Sequence, residues 1–130
     1  MNYNWTDKTI LVVEDVEVNF ALLKVQLRRT KAQIVWLKDG QEAVDYIQEN
    51  KVADVILMDV RMPIMNGIEA TKIIKQLNPN IPIIIQTACV IGNDFDNIEN
   101  SGCDDYLFKP IISSLLYGKI ERQFTKEIKE

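Results

Sequence analysis

Histidine is absent from this 130-residue chain. That absence excludes imidazole acid/base catalysis and histidine-based metal centres. Cysteine is nearly absent as well: Cys89 and Cys103 are the two present, they make no zinc-ligand spacing, and they read as buried free thiols. No apolar run approaches the roughly 20 residues that cross a bilayer, which argues against membrane insertion. Residues 1–8 are polar apart from Tyr3 and Trp5, so no basic segment followed by an apolar stretch opens the chain as a secretion signal does. A cytoplasmic location is the expectation. Excess positive charge is lacking too: 15 Lys and Arg face 19 Asp and Glu, for a net charge of −4. Nucleic acid, whose phosphates call for clustered Lys and Arg, is therefore not an expected partner. The acidic excess suits a cation site instead.

The length fits one domain with one hydrophobic core. Residues 9–13 (TILVV), 53–58 (ADVILM), 81–85 (IPIII) and 106–108 (YLF) are short, non-alternating and rich in β-branched residues. This pattern predicts fully buried parallel strands. Residues 33–37 (QIVWL) read as a fifth, more edge-like strand. Between the strands lie helical spacings: Val18, Leu22, Val25 and Leu27; Ala43, Val44 and Ile47; Ile68, Ile73, Ile74 and Leu77. Residues 91–101 carry Gly92 with several Asn and Asp residues, so a short or mobile helix is expected there. A last helix over 112–128 presents Leu115, Leu116, Ile120 and Phe124 and ends in a charged KEIKE. Gly40, Gly67, Gly102, Pro79 and Pro82 punctuate the junctions. The expected organisation is a lead or linker remnant over 1–8 and a single domain over 9–128.

A regular (βα)5 alternation implies an α/β fold, with a parallel sheet, right-handed crossovers and helices on both faces. Such sheets bind ligands outside the carboxyl ends of their strands, so the residues that follow each strand are the candidates. They are Glu14 and Asp15, then Asp59, then Thr87, then Lys109 with Pro110. Taken singly, each reads as an ordinary loop residue. Taken together, the fold brings three acids, a hydroxyl and an ammonium to one edge. Two carboxylates about 4 Å apart repel by roughly 4 kcal/mol at an effective dielectric near 20, so something positive must compensate. A hard divalent cation does so through oxygen ligands, and Mg²⁺ characteristically takes carboxylates, waters and a phosphate. Lys109 adds a second positive charge, and the Thr87 hydroxyl supplies a donor. These are the parts phosphoryl transfer to a carboxylate nucleophile requires.

VVED, VILMDVRMP, QTA and YLFKP stand in this sequence in the order and at the spacings of response-regulator receiver domains, and the resemblance covers essentially residues 8–125. It implies a flavodoxin-like, doubly wound sheet of order 2-1-3-4-5. It further implies that Asp59 is the phosphoacceptor and that Glu14, Asp15, Asp59 and the backbone carbonyl of Arg61 hold Mg²⁺, for which Mn²⁺ or Ca²⁺ can substitute. Thr87 and Lys109 then contact the phosphoryl group, Thr87 and Tyr106 form the switch, and the bond before Pro110 is cis. EDVEVN with Asn19, DVRMPIMNG and GCDDYLFKPI resemble the receivers of hybrid histidine kinases. The partners implied are a histidine kinase or a histidine phosphotransfer protein, and a weak homodimer through the fourth helix, fifth strand and fifth helix. The implied role is a signalling receiver that catalyses its own phosphorylation and dephosphorylation, with a hybrid kinase as parent chain and no output domain after the fifth helix. A free-standing regulator is the other possibility for its context.

Two residues depart from the family pattern: Gln86 is polar at a buried strand end, and Cys89-Val90 replace the usual small or polar pair. Three rival readings are weaker. A haloacid dehalogenase-type phosphatase needs a second acid where Arg61 stands. A flavodoxin-like carrier needs a phosphate loop where Glu14 and Asp15 would repel the phosphate. A degenerate receiver acting only as an interaction module would be expected to lack some of the key residues, all of which are present.

Overall fold

A computed structural model describes residues 3–88 and 93–126. Five strands alternate with five helices: β1 Thr9–Val13, α1 Glu17–Arg28, β2 Gln33–Leu37, α2 Gly40–Gln48, β3 Val55–Asp59, α3 Gly67–Leu77, β4 Ile83–Thr87, α4 Asn93–Glu99, β5 Asp105–Phe108 and α5 Ser113–Thr125. All strand pairs are parallel, in the order β2-β1-β3-β4-β5. The sheet is thus the doubly wound one expected. Its switch point lies between β1 and β3, where the chain reverses direction across the sheet.

Alternation along the buried strands divides the core into two layers. Leu11, Val13, Ile56, Met58, Ile83 and Ile85 meet Ala43, Val44 and Ile47 of α2, Ala70 and Ile74 of α3 and Ile98 of α4. Ile10, Val12, Val55, Leu57, Ile84 and Leu107 face the other way, onto Leu23 and Leu27 of α1 and Leu116 and Ile120 of α5. Fully burying a Leu or Ile side chain stabilises by about 1.5–3 kcal/mol, so these layers dominate the energetics. Helix starts are set by short polar side chains: Asp39 accepts from the Glu42 amide and Asn66 from the Glu69 amide, opening α2 and α3.

Several expectations need correcting. Strands three and four run further than predicted, because Asp59 and Thr87 still pair with Gln86 and Phe108 although their side chains are polar. β5 is not fully buried: it is the second edge of the sheet, and Phe108 is 46% exposed. In α1 the core-facing residues are Leu23 and Leu27, whereas Val18, Leu22 and Val25 lie on the surface. Leu77 and Leu115 are likewise exposed, with Ala70, Thr71 and Ile74 taking the buried positions in α3. Cys103 is half-buried. Cys89-Val90, the start of the fourth predicted helix and the end of the fifth at residue 128 fall outside the described residues.

Residues before β1 pack onto the domain. Trp5, 3% exposed, sits edge-on to Phe124 with centroids 5.2 Å apart, and its indole N–H donates to Glu121 at 3.1 Å.

Candidate functional site

Each candidate side chain is carried by the carboxyl end of a strand. Glu14 follows β1 directly, and its amide donates to the Leu37 carbonyl at 2.9 Å, which prolongs the β1–β2 pairing by one residue. The carboxylate is buried and accepts from the Val16 amide at 3.2 Å. Asp15 next to it is exposed. Asp59 is the last residue of β3 and Thr87 the last of β4, both buried. Lys109 follows β5, its amide donating to the Thr87 carbonyl at 2.8 Å, and the Lys109-Pro110 peptide is cis.

The fold brings these groups together. One carboxylate oxygen each of Glu14, Asp15 and Asp59 lies within 4.8 Å of the other two. The Lys109 ammonium spans the cluster, donating to Asp59 Oδ1 at 2.7 Å and to Glu14 Oε1 at 3.3 Å. Burial, followed by the negative charge of Asp59, raises the pKa of Glu14 above the ordinary carboxylate range, against the opposing effects of the Val16 amide and Lys109. For Lys109 burial acts downward, yet its hydrogen bond to Asp59 and the charges of Asp59 and Glu14 outweigh it and hold the ammonium pKa above its usual value. Lys109 therefore remains a cation in the site. Three hard oxygen donors, two of them fixed on strand ends and one facing solvent, suit a small divalent cation.

Thr87 and Arg61 line a depression of about 410 Å³ with Asn66, Asn97 and Ile98, on the α3–α4 side of the cluster. Tyr106 lies half-buried on β5, its ring edge-on to Phe95 with centroids 5.4 Å apart and the Lys119 ammonium 5.2 Å from its centre.

Two supporting residues were not singled out from sequence. Gly67 opens α3 against the end of β3: a Cβ there would stand 1.9 Å from the Asp59 carbonyl oxygen, so any side chain would displace Asp59. Its place in DVRMPIMNG, just after the candidate acid, was the available signal. Trp36 on the edge strand donates its indole N–H to the Glu14 carbonyl at 2.7 Å and stacks on Phe20 at 4.4 Å between centroids. An aromatic on an edge strand gives no such signal in one sequence.

The chain is similar in sequence and in shape to known proteins. The chain is 41% identical over 129 residues to "Hybrid signal transduction histidine kinase I" of Dictyostelium discoideum, an alignment that covers 93% of this chain and 7% of that protein. The chain thus spans a small fraction of that relative. It is 34% identical over 106 residues to the polar-differentiation response regulator DivK of Brucella anthropi, covering 80% of this chain and 85% of DivK. Among solved structures, the receiver domain of a sensor histidine kinase from Pseudomonas aeruginosa, with a magnesium ion coordinated in its active-site cleft, superposes with a TM-score of 0.85 at 33% identity, covering 92% of this chain and 98% of that one. A second is a Saccharomyces cerevisiae co-crystal of the histidine phosphotransfer signalling protein Ypd1 with the receiver domain of its downstream response regulator Ssk1. The match there has a TM-score of 0.80 at 33% identity, over 89% of this chain and 88% of that chain. Residues 10–121 match the response regulator receiver domain family, and the chain belongs to that family of two-component signalling domains.

Proposed function

We propose that Asp59 accepts a phosphoryl group from a phosphohistidine donor and that Glu14, Asp15, Asp59 and the Arg61 backbone carbonyl hold Mg²⁺ beside it. The observation that carries this reading is the meeting of three carboxylates with the Lys109 ammonium at the carboxyl edge of the sheet, 2.7 Å from Asp59. In the transfer an oxygen of Asp59 bonds to phosphorus while the donor's nitrogen–phosphorus bond breaks. The imidazole leaves with that electron pair and takes up a proton, and Asp59 becomes an acyl phosphate. Lys109, already bonded to Asp59, then pairs with one phosphoryl oxygen, and the Thr87 hydroxyl donates to another. When bound, Mg²⁺, or Mn²⁺ or Ca²⁺ in its place, neutralises charge on the carboxylates and the phosphoryl oxygens.

Recruitment of Thr87 opens space that the Tyr106 ring fills, and this is the proposed switch. Inverting a 1:99 equilibrium to 99:1 needs about 5.5 kcal/mol of differential binding, so the phosphoryl group must favour the switched state by that much. The domain works in the cytoplasm as part of a hybrid kinase relay, a reading supported by the Dictyostelium relative and by the yeast complex with a phosphotransfer protein. The second reading, a free-standing regulator that docks partners or a weak second copy through α4, β5 and α5, is favoured by DivK, whose length the alignment nearly spans.

The test is phosphorylation with acetyl phosphate or a phosphohistidine protein in Mg²⁺. One hydroxylamine-labile phosphoryl group is expected, lost in Asp59→Asn. Undiminished labelling of that variant overturns the assignment. Reversible transfer from the labelled domain to a histidine phosphotransfer protein supports the relay, and failure of that transfer supports the free-standing reading.

A further inference from the structure

We propose that Trp36 decides which metal the site takes: by fixing the peptide between Glu14 and Asp15, it makes the carboxylate cluster favour Mg²⁺ over the larger Ca²⁺. The inference rests on the reading of Glu14, Asp15 and Asp59 as metal ligands, and adds to it a positioning residue that is not itself a ligand.

β1 ends at Val13, so the peptide that joins the two adjacent acids lies just past the paired strand. Its carbonyl, that of Glu14, accepts the Trp36 indole N–H at 2.7 Å, the short end of the range for such bonds. The rest of Glu14 is held as well. Its amide donates to the Leu37 carbonyl at 2.9 Å, one carboxylate oxygen accepts from the Val16 amide at 3.2 Å, and the other accepts from Lys109 at 3.3 Å. Asp15 differs: its side chain is exposed, so the direction of its carboxylate depends on the plane of the peptide before it. The indole orients that plane.

The donor is itself held in place. Trp36 pairs with Val12 across β2 and β1, so its ring lies on the α1 face of the sheet, the side to which Val12 points. There it stacks on Phe20 with 4.4 Å between centroids and 3° between planes, and the Lys38 ammonium lies 5.2 Å from a ring centre. An indole clamped in that plane cannot turn its N–H away without giving up the stack. Ordering of the Glu14–Asp15 peptide is therefore completed on folding and is not charged against metal binding. Mg²⁺ requires near-octahedral oxygen geometry at short distances, whereas Ca²⁺ tolerates varied ligand numbers and angles. A loosened peptide thus penalises Mg²⁺ more than Ca²⁺.

The test is the ratio of the two affinities, which a general loss of stability does not alter. Trp36→Phe keeps an aromatic ring against Phe20 and removes the N–H donor. Kd values for Mg²⁺ and Ca²⁺ are read by NMR from the backbone amides of Asp15 and Asp59 in the ¹⁵N-labelled protein. Mg²⁺ binding should weaken by about tenfold, as when a group that orients a ligand is lost, and Ca²⁺ binding by about twofold, so the preference drops about fivefold. Trp5→Phe removes the other indole donor, whose partner Glu121 lies on α5, and should change neither Kd. The wild type gives a reading that needs no variant: its Trp36 indole cross-peak should shift with the same Kd as the Asp59 amide, while that of Trp5 stays in place. Equal losses for the two ions in Trp36→Phe, or no loss, overturn the inference and leave the metal reading intact. So does a Trp36 cross-peak that ignores Mg²⁺ while the Asp59 amide responds. A wild type without saturable Mg²⁺ shifts defeats the metal reading itself, and this inference with it.

Discussion

Ile64 has a φ of 69° and is 83% exposed, in the loop that joins Asp59 to α3. A β-branched residue in left-handed backbone is costly, on the order of 1–2 kcal/mol, and this side chain recovers little by packing. Asn tolerates that conformation, so Ile64→Asn should raise stability by about 1 kcal/mol in urea unfolding. A drop in stability would mean that the side chain contributes a contact worth more than the strain. Cys103 shows the opposite balance, a residue held by its surroundings. Burial raises its thiol pKa, despite the hydrogen bond from Ser101, and Sγ lies 3.4 Å from the Ile98 carbonyl oxygen. The folded chain therefore binds this proton more tightly than the unfolded chain does. The stability it contributes falls as pH rises from the ordinary thiol value through the raised one. Since the thiolate is the nucleophile, iodoacetamide at the ordinary thiol pKa should modify Cys103 more slowly in the folded protein than in urea, as read by peptide mass mapping. Equal rates would refute the shift.

At the scale of elements, α1 carries two apolar stripes. Val18, Leu22 and Val25 follow helical spacing as well as Phe20, Leu23 and Leu27 do, but it is Leu23 and Leu27 that are buried. Leu23→Ala should cost about 2–4 kcal/mol, whereas Leu22→Ala should fall within about 0.5 kcal/mol of the wild type. Comparable losses would mean that the exposed stripe is covered in solution. This helix marks a limit of what the sequence discloses: period alone identified α1, yet two stripes of equal period leave its orientation open until the sheet and α5 are in place. The same limit applies at strand ends. TILVV and VILM announced buried strands through composition, while Asp59 and Thr87 continue them by backbone pairing that polar side chains conceal. Ala43, Val44 and Ile47, with a single apolar face, were legible in full and are buried.

Over the whole molecule, Glu14, Asp15, Asp59 and Lys109 were legible as one site because a parallel α/β sheet sends the carboxyl ends of its strands to one edge. The strand order rested on resemblance, since helix and strand periods do not encode which strands are neighbours. What the sequence could not disclose is the cost of assembling the site, which depends on distances. Folding brings Asp59, distant in sequence, to within 4.8 Å of the adjacent Glu14 and Asp15, and Lys109 pairs with Asp59 and Glu14 but has no salt bridge to Asp15 among the described residues. Folding thus works against residual repulsion, and a dication bound by the native state alone should offset it. At ten times its Kd such a ligand adds about 1.4 kcal/mol, which for a domain of this size raises Tm by roughly 5 °C. Asp15→Asn separates this account from a nonspecific salt effect, because it should do two opposite things. Removing one repelling charge should raise the metal-free Tm, and removing a ligand should abolish most of the increment that Mg²⁺ gives. A monovalent salt of equal ionic strength should reproduce neither result. Thermal melts of both proteins with and without millimolar Mg²⁺ decide the matter: a wild-type Tm indifferent to Mg²⁺, or a variant that gains as much as the wild type, would sink the assignment of these carboxylates to the metal.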